Sequence, residues 1–367
     1  MFKENSKKKL LALDGGGIRG ILTLQILRKI EQILREARQN SELVLSDYFD
    51  YIGGTSTGGI IAAALAIGLS VDEIEKYYFD QASAMFSPTA NIFKRLLVEK
   101  YDAEALRQQL QHIFGVDTTL GSKKLKTLLL LIMMNASTSS PWPVSSNPNA
   151  KYNDLSLGDD CNLNIPLWQL VRASAAAPYF FEPENVKVGS QNFLFYDGAL
   201  TSLNNPAFKL FQMATLPEYR LGWPVGSDNM LLVSVGTGLL SKEMKSLKFK
   251  EAQVVNTMLT AMQSLMFTGT VEQDFLCRGL GKCIVGDPID GEVGDMINRA
   301  SSFTEPLFSY IRYNADLSLN GLKSIGCENL AGNHFHIDDI GAMNTYKIIG
   351  EAVAGNKVKS DHFSSYL

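Results

Sequence analysis

Short apolar runs of strand length alternate with longer segments of helical periodicity through most of the chain. The predicted strands are Lys9–Leu13, Tyr51–Gly53, Leu125–Met134, Phe193–Tyr196 and Met230–Val235. Helical spacing of apolar residues predicts helices at Ile21–Ala37, Gly58–Ile67, Val71–Met85, Asp102–Phe114, Pro166–Ala177 and Glu251–Leu276. Alternation of this kind is typical of the α/β class with a mostly parallel sheet.

Two parts of the chain depart from this alternation. Ser137–Asn164 is polar and rich in Ser, Pro and Asn, so we predict a long, mobile loop that borders the active-site entrance. After Leu239 the pattern loosens, and Gly279–Gly294 and Gly326–Asn333 are rich in glycine and polar residues.

Composition and charge exclude several classes of protein. The 367 residues are 46% hydrophobic with a net charge of −4, which indicates a globular protein and argues against a general nucleic-acid binder. The four cysteines form no C-x-x-C, so neither a zinc ribbon nor a redox pair is predicted, and a reduced, cytoplasmic protein is expected. Even the strongly apolar run Leu128–Met134 is far shorter than the roughly 20 residues that span a bilayer, so we expect only peripheral membrane contact.

The first motif, Asp14-Gly15-Gly16-Gly17-Ile18-Arg19-Gly20, lies between a predicted strand and a helix. Backbone N–H groups at such a helix start stabilise negative charge, either of a pyrophosphate or of a reaction's oxyanion. A dinucleotide site also expects an acidic residue about 20 positions on, at the end of the second strand. Glu36 has that offset but falls inside a helix, which disfavours this interpretation.

The second motif is Gly54-Thr55-Ser56-Thr57-Gly58, again between a strand and a helix. G-x-S-x-G in this context is typical of a nucleophile elbow, a sharp turn that exposes a catalytic serine. Small neighbours relieve crowding there, and the helix start behind the serine favours developing negative charge. The alternative is a glycine-rich turn without chemistry.

The third motif, Asp197-Gly198-Ala199, is a common turn when it stands alone. Together and in this order, the three motifs resemble those of the patatin-like phospholipases: D-G-G-G-x-R-G, G-x-S-x-G and D-G-[AG]. The small-residue block Arg172–Pro178 also resembles the family pattern. The resemblance covers residues 8–238. It implies a three-layer α/β/α fold with a mostly parallel central sheet, a catalytic domain at 8–238, and a C-terminal region at 239–367 that packs on it as a regulatory or lid element.

By this resemblance the protein is a lipid acyl hydrolase of the phospholipase A type. Ser56 is the nucleophile and Asp197 its direct base, without histidine, metal or cofactor. An ordinary carboxylate is a weak base, so Asp197 needs burial to raise its pKa. The resemblance assigns the oxyanion hole to the glycine loop, chiefly to the N–H groups of Gly16 and Gly17, within the stretch Gly15, Gly16, Gly17, Ile18, Arg19 and Gly20. We interpret Asp14 as a structural residue that ties the turn through its own backbone.

The chain also resembles, more narrowly, bacterial patatin-like effectors of anti-phage defence that a cyclic dinucleotide activates. That likeness implies membrane phospholipids as partners, peripheral contact with the inner membrane and a cyclic-dinucleotide activator, with a homodimer as an open alternative to a monomer. The C-terminal residues that we predict to bind the activator are Arg278, Tyr310, Arg312 and Tyr313. Scattered surface charges and core aromatics are the competing interpretation of these four residues.

Histidines leave two further alternatives open. His334 and His336 precede Asp338 and Asp339, which allows a metal site or the Ser…Asp…His order of a triad. We favour surface histidines without a catalytic role. The competing functions are an esterase or acyltransferase with a triad, and a module that binds a nucleotide through its glycine-rich loop.

Overall fold

The computed structural model describes residues 6–85, 101–239, 254–299, 305–332 and 335–367. The strands of these residues form one mixed sheet, within which the order is β5-β6-β3-β2-β1-β7-β9-β8 and β4 pairs with β3. The strands are β1 Lys8–Leu13, β2 Tyr51–Thr55, β3 Leu128–Asn135, β4 Ser140–Ser145, β5 Glu184–Val188, β6 Gln191–Asp197, β7 Met230–Val235, β8 Lys282–Val285 and β9 Ser309–Tyr313.

The central part of this sheet is parallel. β3, β2, β1, β7, β9 and β8 run in one direction, whereas β4 and β6 each pair antiparallel with β3, and β5 pairs antiparallel with β6. Strands covered on both faces are continuously apolar, and this is why β1, β3 and β7 were recognisable from sequence. The predicted fold class, α/β with a mostly parallel sheet, is confirmed.

Helices cover both faces of the sheet. The helices are α1 Gly20–Arg38, α2 Leu45–Tyr48, α3 Thr57–Ala66, α4 Val71–Met85, α5 Ala103–Phe114, α6 Leu167–Ser174, α7 Ala207–Thr215, α8 Val254–Leu280, α9 Leu319–Ser324 and α10 Met343–Lys357. Successive residues of a strand point to opposite faces. Leu11 and Leu13 of β1 therefore join one core with α1, α3 and α10, while Leu10 and Ala12 join a second core with α7. Two cores separated by one sheet give the three-layer α/β/α arrangement.

The segment 137–164 differs from its prediction as a loop. Ser140–Ser145 forms β4, which pairs along β3 with Pro141 opposite Met134 and Pro143 opposite Ile132. Proline is tolerated here because β4 pairs on one side only and its other edge needs no donor. Because proline is rare inside strands, the sequence pattern did not predict β4.

Two further findings concern the cysteines and the helices. All four cysteines, at 161, 277, 283 and 327, are buried and free. Among the described residues, no helix combines the length and the apolar character that crossing a bilayer requires.

Candidate active site

Ser56 occupies a sharp turn between β2 and α3. Its φ of 55° and ψ of −125° lie in a region that non-glycine residues rarely adopt. Neighbouring glycines make this turn sterically accessible, because a side chain at Gly54 would collide with the carbonyl of Gly58 and one at Gly58 with that of Leu13. The Ser56 N–H donates to Ser174 Oγ at 3.0 Å. The turn thus has the strained geometry of a nucleophile elbow.

Pairing of β6 with β3 brings Asp197 close to Ser56. Thr55 at the end of β2 pairs with Ile132, and Asp197 at the end of β6 pairs with the next residue, Met133. Since β4 occupies the other edge of β3, β2 and β6 share one edge and meet end to end. Residues 197 and 56 become neighbours because two strands of opposite direction end at adjacent positions.

Ser56 Oγ donates a hydrogen bond of 2.6 Å to Asp197 Oδ2. The other carboxylate oxygen, Oδ1, accepts from the Ala199 N–H at 2.8 Å. Asp197 is 2% exposed. Burial raises its pKa from 3.8 to about 6, although the hydrogen bonds from Ser56 and Ala199 oppose the rise. Asp197 is thus a stronger base than an exposed aspartate and is still mostly ionised at neutral pH.

The glycine loop lies beside Ser56. A side chain at Gly15 would lie 3.2 Å from Ser56 Cβ. Four N–H groups of the predicted oxyanion stretch already have backbone acceptors, at residues 15, 18, 19 and 20. Among the described residues, the N–H groups of Gly16 and Gly17 have no protein acceptor, and both residues line the same cavity as Ser56 and Asp197. The loop therefore offers two free donors rather than six.

Two polar residues at this loop hold it through contacts with other parts of the protein. Arg19 contacts the carbonyls of Gly16 and Gly238, at 3.4 and 3.3 Å, so it anchors the loop. Asp14 was predicted to hold the turn through its own backbone, and that prediction is wrong. Its carboxylate instead forms a buried ion pair with Arg312 of β9.

The cavity above Ser56 has a volume of about 740 Å³, including its open mouth. Besides Ser56, Asp197 and the glycine loop, its walls are mostly apolar. They include Ile60, Leu106, Phe180, Phe181, Leu200, Met262, Met266 and Ile337. Such a lining suits a hydrocarbon chain. The predicted loop 137–164 contributes no residue to the described lining.

Four residues predicted to bind an activator are buried in this structure. Arg278 pairs with Asp274, and the Tyr310 hydroxyl donates to the same carboxylate at 3.0 Å. Tyr313 bonds His362 Nδ1 at 2.7 Å, and Arg312 pairs with Asp14. The structure groups three of them on β9, whose residues are all buried, and Arg278 of α8 is buried as well, so none of the four faces solvent.

Histidines do not reach the Ser56–Asp197 pair in the described structure. The described cavity lining contains no histidine. His336 is exposed and contributes its backbone carbonyl to a hydrogen bond from the Tyr346 hydroxyl, whereas His334 lies outside the described residues. Within the described ranges, no cluster of His, Cys, Asp or Glu side chains could hold a metal ion.

Sequence reasoning missed residues that reach the site from far along the chain. Met262 and Met266 of α8, with Ile337 and Asp338, line the cavity, and the Ile337 carbonyl accepts the Ile18 N–H at 2.8 Å. Helical periodicity could reveal the buried face of α8 but not what covers it. Residues 337 and 338 belong to no helix or strand, so no periodic pattern in the sequence predicted their position.

All three motifs fall within residues 11–211, the segment that matches the family model described as patatin-like phospholipase. This chain belongs to the patatin-like phospholipase family. Patatin-17 of Solanum cardiophyllum is 30% identical over 260 residues, which cover 66% of this chain and 64% of that relative. A cGAMP-activated phospholipase of Escherichia coli (strain TW11681) is 31% identical over 240 residues, or 64% of this chain and 63% of that protein.

The alignments therefore span slightly less than two thirds of these patatin-like relatives' own length. Among solved structures, VipD from Legionella pneumophila aligns over 96% of this chain and 67% of its own, with 13% identity and a TM-score of 0.38.

Proposed function

We propose that this protein is a lipid acyl hydrolase of the phospholipase A type, with Ser56 as nucleophile and Asp197 as its base. The observation that carries the proposal is the 2.6 Å hydrogen bond from Ser56 Oγ to Asp197 Oδ2 in an apolar cavity. Membership of the patatin-like family supports an ester as substrate. The apolar lining supports a long acyl chain.

In the first step Asp197 Oδ2 takes the hydroxyl proton as Ser56 Oγ attacks the ester carbonyl carbon. The negative charge that develops on the carbonyl oxygen meets the N–H groups of Gly16 and Gly17, each worth on the order of 3–4 kcal/mol in the transition state. The bond to the glycerol oxygen then breaks, and that oxygen receives the proton from Asp197. A lysolipid leaves, and the acyl group stays on Ser56.

In the second step water replaces the lysolipid. Asp197 takes a proton from this water as its oxygen attacks the acyl carbon, and the same two N–H groups stabilise the second oxyanion. The bond between the acyl carbon and Ser56 Oγ breaks, and Asp197 returns its proton to the serine. A fatty acid leaves, and the starting protonation state is restored.

We further propose that membrane phospholipids are the substrate and that a cyclic dinucleotide controls access to it. Support comes from the likeness to the E. coli protein, whose name describes activation by cGAMP. The C-terminal region is the proposed place of control, because the Ile337 carbonyl accepts the Ile18 N–H of the glycine loop, and Ile337 and Asp338 line the cavity. The same proposal predicts that the protein acts from the cytoplasm on the inner membrane and that it forms a homodimer.

The test measures fatty acid and lysolipid release from phosphatidylethanolamine–phosphatidylglycerol vesicles, with and without a panel of cyclic di- and oligonucleotides. Ser56→Ala and Asp197→Asn should each lower turnover by at least a thousandfold. Ser46→Ala is the matched serine control, since Ser46 is buried away from the cavity lining and its hydroxyl has no partner in the described structure. Exposed Asp228→Asn is the matched carboxylate control.

Wild-type turnover in a folded Asp197→Asn protein would overturn the Ser–Asp assignment. If no nucleotide changes the rate and basal hydrolysis is already high, the switch fails while the hydrolase proposal stands.

A further inference from the structure

Arg312 and Asp14 form a buried bidentate ion pair beside the glycine loop. Arg312 Nη1 donates to Asp14 Oδ1 at 2.9 Å, and Nη2 donates to Oδ2 at 2.6 Å. Their side chains are 2% and 3% exposed. The two residues are far apart in sequence, and Arg312 lies outside the segment that the family model matches.

The sheet explains how the pair forms. Ala12 of β1 and Arg312 of β9 both pair with Ser234 of β7, so the three side chains share one face. Asp14 lies two residues after Ala12 and extends along the same face. The ion pair therefore crosses over β7 and ties the end of β1 to β9.

A hydrogen-bond network continues from this pair to the loop. Arg312 Nη1 also donates to Ser234 Oγ at 2.7 Å, and that hydroxyl donates to Asn205 Oδ1 at 3.2 Å. The adjacent residue, Asn204, accepts the Gly15 N–H with its backbone carbonyl at 3.1 Å. Arg312 thus holds Asp14, the residue before Gly15, by direct hydrogen bonds. It holds Asn204, the acceptor of the Gly15 N–H, through Ser234 and Asn205.

Gly15 is the last residue before the two free donors and packs against Ser56. The direction of the Gly16 and Gly17 N–H groups consequently depends on where residues 14 and 15 are held. A displacement of about 1 Å in such a donor costs roughly a hundredfold in rate, because stabilisation of an oxyanion requires donors fixed in advance.

We propose that Arg312 is a positioning residue, which fixes the glycine loop through Asp14 so that the Gly16 and Gly17 N–H groups face the reacting carbonyl. The inference rests on the proposed hydrolase function. It gives Arg312 an internal carboxylate as its partner instead of a ligand phosphate. It also makes β9, in the C-terminal region, a support of the catalytic loop.

The competing explanation is that the pair contributes only to folding. Breaking a buried ion pair is strongly destabilising, whereas replacing both partners by apolar groups is often tolerated. A purely structural pair would therefore change stability and leave turnover of the folded protein unaltered.

The test compares three variants of the full chain on a soluble ester. Arg312→Lys keeps the charge but loses the bidentate geometry. Asp14→Leu/Arg312→Met removes both charges together, so that a folded protein without the tether can be studied. Arg35→Lys is the matched control, because Arg35 of α1 pairs with the buried Glu31 at 2.7 Å and lies outside the described cavity lining.

We expect Arg312→Lys to lower kcat at least tenfold and the double variant about a hundredfold, with KM unchanged within twofold. The apparent pKa of the rate should remain that of the wild type, since Asp197 is not touched. Amide exchange of residues 14–20 should become faster in both variants, and Arg35→Lys should match the wild type in kcat and in loop exchange.

Wild-type kcat and wild-type loop exchange in a folded Arg312→Lys or double variant would overturn the positioning role. If the wild type cleaves no ester and a fluorophosphonate probe fails to label Ser56, the hydrolase proposal fails. In that case, amide exchange of residues 14–20 still decides whether Arg312 holds the glycine loop.

Discussion

At the scale of single residues, two features of the site are costly to the fold. Ser56 adopts a positive φ of 55°, a conformation that costs about 1–3 kcal/mol for a non-glycine residue. Asp197 keeps a carboxylate in a buried place, where burial raises its pKa to about 6. Both costs are explained if the site requires a serine that faces the cavity and a base strengthened by burial.

The first prediction concerns the pH dependence of the rate. Asp197 must be ionised to accept the proton of Ser56, so kcat/KM on a soluble ester should rise as pH increases through about 6 and then level off. Initial rates between pH 4.5 and 8.5 measure this. A rising limb near pH 4 would mean that Asp197 behaves as an ordinary exposed carboxylate.

The second prediction concerns stability at the same residue. The pKa of Asp197 is 3.8 ordinarily and about 6 in the fold, so between these values the folded protein holds a proton that the unfolded chain has lost. The free energy of unfolding therefore falls as pH rises through this window, by on the order of 3 kcal/mol. Asp197→Asn does not titrate and should gain about that much over the wild type between pH 4 and 7.5.

Urea unfolding of both proteins at the two pH values measures this change. A difference in stability that stays constant with pH would contradict it.

At the scale of elements, local pattern was informative where the structure depends on neighbours in sequence. The elbow needs Gly54 and Gly58, and the strand before it and the helix after it were visible as apolar runs. The Asp14–Arg312 pair joins residues 298 positions apart, and the order in which β1, β7 and β9 pair is set by the whole sheet. The sequence therefore predicted the motifs and their chemistry, but not what holds the glycine loop.

The third prediction tests the contact between that loop and the C-terminal region. Gly17 has φ +59°, and a side chain there would collide with the Ile337 carbonyl. Gly158 has nearly the same φ, +58°, but a side chain there would meet open space. Gly158→Ala should cost about 1–3 kcal/mol and leave turnover intact, whereas Gly17→Ala should be more destabilising and lower turnover at least a hundredfold.

Thermal unfolding and soluble-ester turnover of the two variants distinguish these outcomes. Equal stabilities and equal rates would show that Ile337 does not constrain the loop.

At the scale of the whole molecule, the site is assembled from both parts of the chain. The three motifs lie within residues 11–211, but Met262, Met266, Ile337 and Asp338 complete the cavity. β9 lies between β7 and β8. The division at residue 238 is thus proposed as a division of roles, catalysis before it and control after it, within one sheet.

The last prediction follows from that arrangement. Residues 1–238 alone lack β9, so β7 would have an open edge and Asp14 would be buried without its cation, which is strongly destabilising. We expect this fragment to show no cooperative thermal unfolding and no fluorophosphonate labelling of Ser56. The control is the full chain cut at a protease site inserted after Gly291, an exposed position where a side chain would meet nothing. Its two pieces should stay associated through the sheet and keep their activity, whereas a folded, labelled 1–238 fragment would show that the catalytic domain is complete without β9.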